Sequence, residues 1–165
     1  MSRLKKFGLG CLHGVNLVCA FHLFRDYVGG LSLMDGVSML PTFDATGEMI
    51  VENILSHRLF PHTLARGQLI TLESPLTPNR IICKRVIGLP GDTICVDPTG
   101  LMASSTEHIV VPKGHVWIAG DNASCSRDSR VYGPVSMALI RGKVVARVYP
   151  FNRFKIFSPE ARYID

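Results

Sequence analysis

At 165 residues the chain is long enough for one domain with a proper core, and 47% hydrophobic content with a positive mean hydropathy exceeds what a purely soluble domain needs. The net charge of +5 invites a nucleic-acid partner, but Arg3, Lys5, Lys6 and Arg25 all precede the first acid, Asp26, and the remaining 14 of the 18 basic residues face all 13 acids. The excess belongs to the N-terminus, and no Lys/Arg stripe interleaved with aromatics follows, so a nucleic-acid groove is excluded. The five cysteines, Cys11, Cys19, Cys83, Cys95 and Cys125, are odd in number and form no CxxC, and the six histidines show neither HExxH nor paired Cys/His spacing. No disulfide framework, metal site or cofactor is implied.

The basic segment 1–6 precedes an uncharged run, 7–24, which Arg25 closes. As a helix the run spans about 27 Å, just enough for a hydrocarbon core. His13, Asn16 and His22 interrupt it, while Gly8, Gly10 and Gly14 offer small surfaces suited to packing another transmembrane helix. A cleaved targeting peptide and an amphipathic surface helix are the competing readings. A transmembrane anchor is expected, because the run is longer than a usual signal core and lacks a small-x-small cleavage site. The basic start favours an N-terminus on the matrix or cytoplasmic side, with the remainder across the lipid bilayer.

Next comes Gly36-Val37-Ser38-Met39-Leu40-Pro41. Gly36 has access to backbone angles closed to other residues, and Pro41 biases Leu40 away from helix, so Ser38 is expected at an abrupt bend that presents its hydroxyl. By itself this is ordinary turn chemistry.

From residue 25 to 156 short apolar or alternating runs are separated by turn residues, the pattern of a mostly β domain. The expected strands are 31–34, 49–52, 69–73, 81–87, 93–96, 108–111, 116–119 and 139–149, with a turn or two of helix after Ser38 and Val135. Pro61-His62, Pro90-Gly91-Asp92 and Pro98-Thr99-Gly100 punctuate them. Residues 157–165 read as a loose tail.

The run Ile81-Ile82-Cys83-Lys84-Arg85-Val86-Ile87-Gly88 is apolar on both faces, yet carries two adjacent cations that must point to opposite sides. At least one cation therefore has aliphatic neighbours. Arginine stays protonated in proteins, whereas a desolvated lysine can shed its charge near neutrality, so only Lys84 is able to take a proton from a serine. A lysine snorkelling from an edge strand is the alternative.

The loop Gly120-Asp121-Asn122-Ala123-Ser124-Cys125-Ser126-Arg127-Asp128-Ser129-Arg130 follows the strand bearing the only tryptophan, Trp117. Its polar residues need internal hydrogen bonds, and Asp128 and Arg130 are able to pair or to sit in water.

In this order, the serine box, the lysine strand continuing into Leu89-Pro90-Gly91-Asp92, and the GDNxxxSxDSR loop resemble the type I signal peptidase family, from about Leu31 to Tyr149. Within that family the Ile-Cys-Lys-Arg-Val-Ile-Gly wording and Asn122 are most like its mitochondrial branch. The resemblance implies a signal-peptidase-like antiparallel β domain behind one transmembrane helix. It makes Ser38 the nucleophile and Lys84 its general base, with Ser126 aiming the amine and the ion pairs Asp128–Arg130 and Asp121–Arg85 bracing loop and strand. Met34 and Cys83 fall at positions resembling pocket-lining ones. Many bacterial relatives place a serine two positions before the nucleophile; this chain has Gly36, which leaves that oxyanion donor to a backbone group or water. The family further implies presequence-bearing precursor proteins as substrates, a place in the mitochondrial inner membrane with the catalytic domain facing the intermembrane space, and a heterodimer with a second related peptidase subunit. Two other classes are a catalytically silent scaffold subunit and a self-cleaving repressor-like protease; the latter needs a DNA-binding helix pair that is not visible.

Overall fold

The computed structural model describes residues 3–98, 100 and 106–159. Helix α1 (Arg3–Tyr27) carries the apolar run on through Arg25 to Tyr27. Its segment Phe7–Tyr27 is about 31 Å long, and none of its most apolar window is buried against protein. Phe7, Leu12, Val15, Leu17, Val18 and Phe21 are all exposed, with no polar face among them. That all-round apolarity suits a membrane span rather than an amphipathic helix lying on the surface.

The strands are β1 (Gly29–Asp35), β2 (Thr46–Asn53), β3 (Leu69–Glu73), β4 (Ile81–Gly88), β5 (Thr93–Cys95), β6 (His108–Val110), β7 (His115–Ala119), β8 (Val135–Ser136), β9 (Ile140–Tyr149) and β10 (Lys155–Ile156). Each of the eight expected runs falls on one of them, with Val96, Val111 and Leu139, at the ends of three runs, just outside the strands. Beside them stand short elements with no sequence signal: α2 (Leu55–Leu59), α3 (Ser129–Tyr132) and the two-residue strands β8 and β10.

Every pairing is antiparallel, in the order β1-β2-β9-β3-β4-β7-β8, with β10 also on β9 and β5-β6 as a separate ribbon. Register shifts interrupt β1/β2 at Met34/Asp35, β2/β9 at Met49/Ile50 and Val51/Glu52, and β3/β9 at Thr71/Leu72. Such bulges add twist and curl a sheet. The curl is evident because residues of β1 and β4, with three strands between them in the order, line one cleft of about 770 Å³. β1 pairs only with β2, and β4 meets β7 only from Arg85 onward, so residues 81–84 and β1 both present strand edges without a strand partner among the described residues.

The core divides between the two sheet faces. One cluster holds Ile70, Leu72, Val86, Val116, Ile118, Val135 and Ile140. The other holds Met39, Phe43, Ile50, Leu69, Cys83 and Val144. Phe157 joins the second: its ring meets Phe43 at 5.2 Å and its N–H donates to Val145 O at 2.8 Å. Residues 160–165 of the expected tail lie outside the described residues.

Candidate active site

Gly36 sits at φ 119°, a conformation closed to most residues, and starts a 3-10 turn over Val37–Met39. Leu40 is extended, as Pro41 demands. Ser38 is thereby set half-buried on the wall of the cleft between β1 and β4, with Met39 anchored in the core below it.

On β4 both cations are buried, Lys84 at 3% and Arg85 at 5% exposure, which removes the snorkelling alternative. Arg85 turns to the serine box and the loop. Its Nε and Nη2 donate to Asp121 at 2.7 and 2.6 Å, its Nη1 donates to Gly67 O at 2.8 Å, and the Thr42 hydroxyl closes the group by donating to Asp121. A guanidinium fork of this kind holds a carboxylate rigidly.

Lys84 lines the same cleft as Ser38, and its amine donates to Ser126 Oγ at 3.1 Å. Burial lowers the pKa of this amine from its ordinary value, and the opposing pull of Asp128 is the smaller effect. Asp128 is wholly buried. Burial pushes its carboxyl up, but donors from the Arg130 side chain, Ser126 and the Gly120 N–H outweigh that and hold it below the usual range. Arg130 Nε and Nη2 each reach Asp128 at 2.9 Å, and Gly120 N does so at 2.9 Å. The serine hydroxyl therefore receives from the lysine and gives to the aspartate. One N–H of the Lys84 amine is thus committed to Ser126.

The loop is also fastened to the serine box. Asn122 N–H donates to Ser38 O at 3.0 Å, and its side-chain amide donates to Val37 O at 3.1 Å. Gly120 permits the approach: a Cβ there would stand 2.2 Å from Ser126 Oγ and 2.4 Å from Ser38 O. The backbone of Ser38 and the hydroxyl that holds Lys84 thus meet at one point.

Met34 and Cys83 line the cleft too. The Cys83 thiol is pushed up to about 12, chiefly by burial, and is a neutral apolar liner rather than a nucleophile. Thr42 has no signal in the sequence, and Gly120 and the carbonyl-binding role of Asn122 have none beyond their place in the loop motif.

A peptidase of the signal-peptidase class is what this curled sheet and its cleft define, and comparison with known proteins agrees. The family model "Signal peptidase, peptidase S26" matches residues 11–104 and 98–149, so the chain belongs to that family. Mitochondrial inner membrane protease subunit 1 of Schizosaccharomyces pombe is 43% identical, with 82% of this chain and 83% of that protein aligned. The human protein of the same name is 40% identical over 82% of this chain and 79% of its own length. Mitochondrial inner membrane protease subunit 2 of Saccharomyces cerevisiae is 30% identical over 91% of this chain and 85% of its length. With its apolar N-terminal helix, the chain is a protein of the mitochondrial inner membrane.

Proposed function

We propose that the chain is a serine endopeptidase that removes sorting presequences from precursor proteins delivered to the intermembrane space, with Ser38 as nucleophile and Lys84 as general base. The carrying observation is the buried Lys84 amine, held by Ser126 in the cleft that Ser38 lines. A serine hydroxyl is a weak nucleophile until a base takes its proton, and an amine kept uncharged by burial is such a base. Lys84 Nζ accepts the Ser38 proton as Oγ attacks the scissile carbonyl. The tetrahedral oxyanion is met by the Ser38 N–H, the ammonium returns its proton to the leaving amine, and water, deprotonated by Lys84, then releases the ester.

Substrate enters extended between β1 and residues 81–84, each of which has one edge without a strand partner among the described residues, and completes the curled sheet by main-chain hydrogen bonds. Met34 and Cys83 meet side chains that precede the cut. The pairs Asp121–Arg85 and Asp128–Arg130 hold Ser38 and Ser126 in place without entering the chemistry. The short link from α1 to Ser38 keeps the reaction at the membrane surface facing the intermembrane space, and the similarity to a subunit 2 supports a heterodimer with a second related subunit.

The test is cleavage of a presequence-bearing precursor by the wild type, Ser38→Ala and Lys84→Arg, with folding checked in each. Loss in both variants by about a thousandfold or more supports the dyad and excludes a silent scaffold. Retained cleavage in either rejects it.

A further inference from the structure

A groove of about 800 Å³ lies where the membrane helix meets the domain. It is lined by Phe21 and Phe24 of α1, Leu31 of β1, and Leu55, Leu59 and Phe60 in and just after α2. Each of these six is at least 40% exposed, so the groove is an open apolar surface rather than a gap in the core. Its sides are fixed to each other. Val28 O accepts from the N–H groups of Ile54 and Leu55, both at 3.0 Å, which pins the start of α2 to the end of α1.

What covers the groove follows from where it opens. Phe21 and Phe24 belong to the apolar segment suited to crossing the bilayer, so acyl chains reach their side of the groove without leaving the hydrocarbon. Arg25 lines the groove one residue beyond Phe24, at the end of the span where head groups begin. Its Cγ lies 3.3 Å from where a Cβ of Gly30 would stand, so the stem of this arginine rests against β1. Arg58 of α2 turns to the same helix end, its guanidinium 4.5 Å over the Tyr27 ring. Neither guanidinium donates a hydrogen bond to a carboxylate among the described residues. Asp26 stands 3.6 Å from Arg25 and faces His22 at 3.3 Å, and Glu52, which also lines the groove, keeps both oxygens buried. An apolar trough beside two guanidiniums with donors to spare matches a ligand with a hydrocarbon tail and an anionic head.

We infer that the groove binds one anionic phospholipid, with an acyl chain against Phe24, Leu59 and Phe60 and the phosphate held by Arg25 and Arg58. Guanidinium forks suit phosphate oxygens, and basic side chains at the membrane surface favour anionic over zwitterionic lipid. The lipid bridges α1 and α2 and so sets how the domain stands on the membrane. Arg25, Gly30 and Leu31 line both this groove and the cleft, which places the lipid at the cleft's edge. The inference concerns the membrane face and holds whether or not Ser38 is the nucleophile.

The test is native mass spectrometry of the full-length chain released from nanodiscs of phosphatidylcholine alone or of an equimolar mixture with phosphatidylglycerol. Wild type is expected to keep one phosphatidylglycerol per chain, in preference to phosphatidylcholine by roughly tenfold or more. Arg25→Gln combined with Arg58→Gln is expected to bring that preference toward one while lipid of either kind stays bound. Leu59→Asp changes a side chain that is already 59% exposed, and is expected to lose both lipids with little change in Tm. Phe151→Asp, at an 82% exposed apolar residue outside the groove, is expected to keep the lipid. No lipid on the wild type, equal retention of the two lipids, or retention unchanged in Leu59→Asp overturns the inference. So does a lipid-free wild-type dimer that Leu59→Asp turns into a monomer, which assigns the groove to a second copy. A raised KM for a precursor in Leu59→Asp with lipid still bound assigns the groove to substrate and overturns it as well.

Discussion

Asn122 donates its N–H to the carbonyl of Ser38 at 3.0 Å, tying the loop that carries Ser126 to the turn that carries the candidate nucleophile. The bond works because Gly120, two residues earlier, has no Cβ to separate the two segments. The position of the lysine amine, held by Ser126, is thereby referred to the backbone of Ser38 itself.

Gly120→Ala should damage catalysis more than folding. The added methyl group would stand 2.2 Å from Ser126 Oγ and 2.4 Å from Ser38 O, so one or both must move. Displacement of reacting groups by about 1 Å can cost roughly a hundredfold in rate. The expected result in precursor cleavage is a kcat lowered by about that factor with a smaller change in KM; an unchanged kcat would contradict the close packing at this point.

Much of this arrangement was legible in the chain, and the reasons are local. The run from Ile81 to Gly88 announces a strand because it is apolar on both faces and ends in Pro90-Gly91, and β4 occupies it. The bend at Ser38 follows from Gly36 and Pro41. The pairs Asp121–Arg85 and Asp128–Arg130 and the contact of Ser126 with Lys84 were implied by the family resemblance, and the structure brings each together. The features without a sequence signal depend on contacts between distant residues or are too short for a periodic pattern. Thr42 reaches Asp121 only once the serine box packs on the loop, and α2 is too short to show a helical period. Glu52 is buried beside Ile50 on β2, although a charged residue in a strand ordinarily faces solvent.

Asp128→Asn should destabilise the domain by about 3 kcal/mol at neutral pH, since it leaves a guanidinium and a buried N–H facing an amide instead of a carboxylate. The pH dependence has a definite sign. Asp128 titrates below 3.8 in the folded chain, so its stabilisation is present above 3.8 and is lost as pH falls through the lower folded value. Denaturant unfolding should show the gap between wild type and variant narrowing in acid; a gap independent of pH would contradict the assigned charge.

Lys84→Met should raise stability while abolishing cleavage. The folded pKa of Lys84 is lowered, so between that value and 10.5 the unfolded chain binds more protons, and stability rises with pH across that window. Below the window the penalty is felt in full, and an apolar side chain of similar length removes it. The gain expected at pH 7 is roughly 1 kcal/mol, seen as a rise of about 3 °C in Tm that shrinks toward pH 10.5. A fall in Tm at pH 7 would mean that the lysine stabilises the fold.

The most direct measurement is a titration of the Lys84 side chain by NMR in the full-length protein labelled on lysine, with the signal assigned by its loss in Lys84→Arg. An amine that loses its proton well below the ordinary lysine value of 10.5 is the predicted result. Titration at or above that value would show a charged ammonium in the cleft that Ser38 lines, and a group of that kind has no lone pair to take the proton.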